Sequence, residues 1–399
     1  MLRKNNWNRD KVIFAIALFF NFTPSFSLSA LVSSVFVQPR YFWLPFFAFK
    51  GDAKIKLDSY TILGLWLLCI STIAPIVGVF FGRQTSLLDF AMIINWVYFI
   101  LFYSETIKNE NLFNLYIKWF LWVNIIYILV QLILFYAGYS KYTMLHSNIP
   151  FHVNSEYSID VGYFEWLPRY SGLFIESGPL TLFLCLTFLY MVQVRYFFST
   201  GIIVCTLIAI IFSQSKFLLL FIPLFLLELS LLHLSKRMYK FLTSPSIMIS
   251  TFLVAILISY EIFVLTGLNE YLSLNLIAYQ LRLDGIQDAI DGVSKLGVFG
   301  RALLGSNFEE ADSTLSLTGN DIFSILFMGY GVVLGSIILI SILLVPLLSR
   351  MQYKYTFLSL LVLAFLSSGS LLVPHYTFFI IYCALINASH NNIRQNSIK

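Results

Sequence analysis

The run Val332-Val-Leu-Gly-Ser-Ile-Ile-Leu-Ile-Ser-Ile-Leu-Leu-Val-Pro-Leu-Leu348 contains no charged residue. Its apolar residues are continuous. A membrane-barrel strand alternates apolar and polar positions, so this run reads as a helix. A helix needs about 20 apolar residues to cross roughly 30 Å of hydrocarbon, and this run with the residues just before it is long enough. Phe217–Leu227 is a second such run, and similar ones follow one another along the chain. Of the 399 residues, 59% are hydrophobic and 11% charged. An ordinary soluble domain carries roughly 25% charged residues, so water does not suit this surface and lipid does. The expected fold class is all-α: a polytopic integral membrane protein with about 12 transmembrane helices and two large outer (periplasmic) loops.

The apolar runs predict spans near 12–30, 32–49, 59–80, 87–103, 112–136, 172–194, 197–213, 217–234, 245–266, 320–348, 355–373 and 374–389. Arg3, Lys4, Arg9 and Lys11 precede the first run in the manner of a signal peptide. With so much apolar sequence downstream, a first transmembrane helix is the better reading. On this map 17 of the 25 lysines and arginines fall on one side. The positive-inside rule makes that side cytoplasmic and puts both termini there. The chain then reads as a single transmembrane domain, 1–399, carrying two long outer loops at 138–171 and 267–319. Loops of that length in a compact fold are usually functional or disordered. The second holds a helical pattern at Leu283, Ile286, Ile290 and Val293.

The net charge of +5 is spread over short loops, which points away from nucleic acid. Cys69, Cys185, Cys205 and Cys383 lie far apart in predicted spans and read as buried small hydrophobes. No phosphate-cradling Gly-x-x-x-x-Gly-Lys-Ser/Thr loop, His-Glu-x-x-His or Gly-x-Ser-x-Gly is present. Glu309, Glu310 and Asp312 read as a solvated acidic patch, and no metal site is expected. An ionisable residue at membrane depth is a functional candidate. Glu176, Lys216, Asp321 and His375 fall near the outer face, with Arg169, Arg282 and Arg301 in the outer loops. Glu228 falls near the inner end of its span and reads as an interfacial carboxylate. Two arginines in separate outer loops suit a bidentate grip on phosphate or pyrophosphate. Tyr157, Tyr163, Phe164, Trp166 and Tyr170 suit either stacking on sugar rings or an interfacial aromatic belt.

Four segments carry a family resemblance. Arg169-Tyr-Ser-Gly-Leu-Phe-Ile-Glu-Ser follows the first long loop. Ser213-Gln-Ser-Lys-Phe-Leu-Leu-Leu forms a tight outer turn. Arg282 to Gly305 combines an arginine-bearing helical pattern with a Leu-Leu-Gly turn. Asn320-Asp321 leads to Gly331. In order and placement these resemble the O-antigen polymerase and ligase superfamily of bacterial envelope polysaccharide synthesis, and within it the Wzy-type polymerases. Lys216 stands where the family pattern has arginine. Asn320 stands where ligases commonly have histidine, which argues against a ligase.

The resemblance implies a GT-C-like membrane glycosyltransferase of the bacterial inner membrane. Its activity would be inverting and metal-independent, with no cofactor apart from the lipid carrier. Its substrates would be oligosaccharide repeat units on undecaprenyl pyrophosphate, and its partners membrane lipids, a chain-length regulator and a flippase. Arg169 and Arg282 would stabilise the leaving pyrophosphate, with Lys216 and Arg301 behind them. Asp321, Glu176 and His375 are candidates for the base, and Trp166 and Tyr170 for sugar contact. The alternatives at this stage are an O-antigen ligase and a polysaccharide flippase or transporter.

Overall fold

The computed structural model describes residues 9–22, 26–27, 36–37, 55, 57–80, 87–137, 177–194, 197–213, 216–251, 254, 322–367 and 379–388. Apart from one two-residue ladder, the regular structure there is helical. The helices are α1 (Arg9–Phe22), α2 (Ser59–Phe80), α3 (Leu87–Lys108), α4 (Glu110–Tyr136), α5 (Ser177–Gln193), α6 (Thr200–Phe212), α7 (Lys216–Leu234), α8 (Lys236–Leu242), α9 (Ile322–Leu348) and α10 (Lys354–Ser367). A further helix, α11, covers Phe379–Ala388. From α2 onward all of them except α8 overlap the predicted apolar runs.

The N-terminal end differs from expectation. α1 stops at Phe22, well short of residue 30. Pro24 lies two residues on, and a proline disfavours helical backbone in the residue before it. The strands β1 (Phe26–Ser27) and β2 (Phe36–Val37) then pair antiparallel, Phe26 opposite Val37 and Ser27 opposite Phe36. This ladder falls inside both expected spans, 12–30 and 32–49, so neither is one continuous helix. With 14 residues, α1 is about 21 Å long at 1.5 Å per residue.

Among the described residues two helical stretches, Ser59–Phe80 and Glu110–Ile133, are long and apolar enough to cross a membrane. A soluble helix buries its apolar stripe and turns a polar face outward, whereas these two carry apolar residues on their outward faces as well. On α4, Leu115, Trp119, Trp122, Ile126 and Ile133 are exposed, while Asn114, Asn124 and Gln131 are buried. On α2, Ile62, Leu65, Trp66, Ile73, Ile76 and Phe80 form an exposed apolar stripe at spacings of three and four. Cys69 lies on that stripe and is exposed, contrary to its reading as a buried hydrophobe. An apolar perimeter around buried amides suits hydrocarbon better than water.

The chain divides into two compact units. The first comprises Met1–Gly64, Ile94–Leu219 and Pro374–Lys399, and the second Leu65–Ile93 and Leu220–Val373. In the first unit α5 is the central helix: residues 180–191 are all buried. It is apolar all round, as a core helix must be. Phe183 meets Phe120 of α4 edge-on, with ring centroids 5.4 Å apart. Tyr190 stacks on Tyr382 of α11 at 4.6 Å and donates to Asn114 Oδ1 of α4 at 2.7 Å. Thr187 and Tyr382 share a hydroxyl–hydroxyl hydrogen bond of 2.9 Å. Gly64 of α2 allows close approach to α3, because a Cβ there would meet Ile100 Cγ1 at 2.8 Å and Phe99 Cδ1 at 2.9 Å.

In the second unit α9 packs on α10, with Met248, Leu347 and Leu358 forming a buried cluster. Ser349–Tyr353 joins the two helices. Tyr353 turns the chain with φ 58°, the left-handed region, which costs a side chain-bearing residue of order 1 kcal/mol. Packing of its ring on Phe225 of α7, centroids 4.9 Å apart, holds it there.

Candidate functional site

Of the residues that the motifs single out, Arg169, Tyr170, Trp166, Glu176, Arg282, Arg301, Asp321 and His375 lie outside the described residues. Lys216 is the first residue of α7. Ser213, which opens its block, is described in full.

Ser213 closes α6 as its C-cap, with φ −66° and ψ −21°. Its N–H donates to Ala209 O at 3.1 Å. Its hydroxyl donates to Ile210 O at 2.6 Å and accepts from Thr181 Oγ1 at 2.6 Å. Both side chains are fully buried. A buried hydroxyl left without partners costs about 1–3 kcal/mol, so the pair is a specific join. It ties the first turns of α5 to the end of α6. α5 begins at Ser177, the residue that ends the Arg169–Ser177 block. The bond thus ties Ser213 of one motif segment to the helix turn that follows another, since Thr181 lies four residues beyond Ser177. Sequence reasoning had no signal for Thr181, since a threonine inside an apolar helix commonly bonds its own backbone.

Two other polar networks lie elsewhere. In the first unit Asp58 caps α2, accepting from Thr61 N at 2.9 Å and from Tyr103 OH of α3 at 2.5 Å. Beside it Asn387 Nδ2 donates to Tyr60 OH at 2.6 Å. In the second unit Glu228 is 1% exposed, packed inside the protein near the end of its helix. Its carboxylate accepts from Tyr355 N at 3.0 Å, Thr356 N at 2.8 Å and Thr356 Oγ1 at 2.6 Å. A helix N-terminus leaves four N–H groups without partners, and Glu228 fills two of them in α10 from a different helix. Tyr239 of α8 also hydrogen-bonds Glu228 and accepts from Tyr353 N at 2.8 Å. Burial first, and then the Glu228 charge, raises the Tyr239 phenol above its ordinary range, so it stays protonated and can donate. With its donors satisfied in this way, Glu228 is a structural carboxylate.

Among the described residues no three His, Cys, Asp or Glu side chains converge as a metal site would require. No family model, no curated protein and no solved structure matches the chain.

Proposed function

We propose that this chain is a membrane glycosyltransferase that polymerises undecaprenyl-pyrophosphate-linked repeat units into O-antigen or a related surface polysaccharide. It would sit in the bacterial inner membrane with about twelve spans, both termini cytoplasmic and the two long loops on the periplasmic side. The observation that supports this most is the Thr181–Ser213 hydrogen bond. It holds Ser213, which opens the second motif segment, against α5 about one turn beyond Ser177, where the first segment ends, and so keeps the two segments near one another. The first of these segments leads into α5, buried throughout residues 180–191, a rigid support for groups that must be held to a fraction of an ångström.

In the proposed reaction a hydroxyl of the incoming lipid-linked unit attacks the anomeric carbon of the growing chain. The bond to the lipid pyrophosphate breaks, the hydroxyl proton passes to a base, and lipid pyrophosphate leaves. Negative charge builds on the leaving group, so fixed cations lower the barrier. Arg169 and Arg282 carry that role, with Lys216 and Arg301 in support. Asp321, Glu176 and His375 remain the candidates for the base.

Deleting the gene and running the surface lipopolysaccharide on a gel tests the proposal. Core bearing a single repeat unit is the expected product. Bare core, the result of ligase or flippase loss, overturns it.

A further inference from the structure

α8 is a seven-residue helix, Lys236–Leu242, whose exposed side chains the proposed chemistry leaves unused. Tyr239 is its buried anchor. At about 100° per residue, Arg237 and Phe241 lie nearly opposite Tyr239. Lys236 and Lys240 fall on one flank and Met238 on the other. Met238 is 54% exposed and Phe241 66%, and Leu234 just before the helix is 82% exposed. Lys236, Arg237 and Lys240 are exposed as well. The sequence from Leu229 to Thr251 contains no Asp or Glu. Arg350, on the Ser349–Tyr353 junction to which Tyr239 bonds, is a further exposed cation.

We infer that α8 is a docking surface for anionic phospholipid, the helix lying in the membrane–water interface. Charge complementarity selects the occupant. A basic flank beside an apolar edge is the pattern of an interfacial helix, and each surface Lys or Arg adds attraction to an anionic leaflet. Phe241 and Met238 enter the acyl boundary while Lys236, Arg237 and Lys240 meet lipid phosphates. Tyr239, hydrogen-bonded to Glu228 and Tyr353, couples this surface to the start of α10. The inference rests on the membrane reading and on the cytoplasmic placement of this loop, and is independent of the glycan chemistry.

The test reconstitutes the full chain in nanodiscs holding equal amounts of phosphatidylglycerol and phosphatidylcholine. Native mass spectrometry of the released protein then counts the retained lipids. Wild type should retain phosphatidylglycerol preferentially. Lys236→Gln/Arg237→Gln/Lys240→Gln should lower that preference at least about tenfold with phosphatidylcholine retention unchanged. Lys236→Arg/Lys240→Arg, which keeps the charge, should preserve it. The absence of a preference in wild type, or its survival in the glutamine variant, overturns the inference and leaves the membrane reading standing. Release of the chain from native membranes by alkaline carbonate overturns both.

Discussion

Replacing Glu228 by alanine should unfasten the start of α10. The substitution leaves two backbone N–H groups and the Thr356 hydroxyl without their acceptor in a site that is 1% exposed, closed to replacement water. A hydrogen bond to a charged group contributes about 1.5–3 kcal/mol, and such contributions within one network do not add fully. A buried donor left without an acceptor costs about 1–3 kcal/mol, so the three donors together should cost roughly 3–5 kcal/mol once that coupling is allowed for. Glu228→Gln keeps one acceptor oxygen but turns an amide N–H₂ toward a donor, so it should lose roughly 1–3 kcal/mol. Hydrogen–deuterium exchange of the detergent-solubilised full chain reads this directly. In the alanine variant the Tyr355 and Thr356 amides should exchange at least about a hundredfold faster, and the glutamine variant should fall between. Wild-type exchange rates in the alanine variant would show that the carboxylate does not hold this helix end.

Gly64→Ala should lower stability by about 1–3 kcal/mol, because its Cβ would press on Ile100 and Phe99. Gly201→Ala in α6 meets nothing within 4 Å and should gain up to about 1 kcal/mol from helix propensity; opposite shifts of the thermal unfolding midpoint are expected. Arg169→Ala and Arg282→Ala should each abolish chain extension while protein levels persist on an immunoblot. A full-length polysaccharide ladder from either variant removes that arginine from the mechanism. Thr181→Val keeps the shape but deletes the hydroxyl that reaches Ser213, at a cost of about 0.5–1.5 kcal/mol. Shorter ladders with normal expression are expected, and an unchanged ladder would separate this bond from the site.

The helices were legible because hydrocarbon-length apolar runs have few other interpretations. α2 and α9 end within about two residues of the runs that predicted them. The first two spans were misread because hydrophobicity was weighed above Pro24, which forecasts a break where α1 ends. Cys69 was misassigned because a helix in lipid has apolar positions on both its packed and its outward faces. Thr181–Ser213 and Glu228–Thr356 were invisible because each depends on a partner distant in sequence. The place of Glu228 near a helix end gave no hint of its burial, which α10 supplies.

Glu228 and Tyr355 are 127 residues apart in the chain, which bears on the order of synthesis. At about 5–20 residues per second, α7 is complete roughly 6–25 s before the first turn of α10 is made. For that interval the carboxylate has none of its α10 donors. On the proposed topology, its position one and a half turns from the end of α7 at Leu234 would let it wait at the aqueous boundary, where water can solvate it. The same residue at mid-helix would have to enter hydrocarbon alone. On that topology the location of Glu228 would serve biogenesis as well as the finished fold. Truncating the nascent chain before Lys354 should leave that carboxylate open to water and the α7 terminus unfixed.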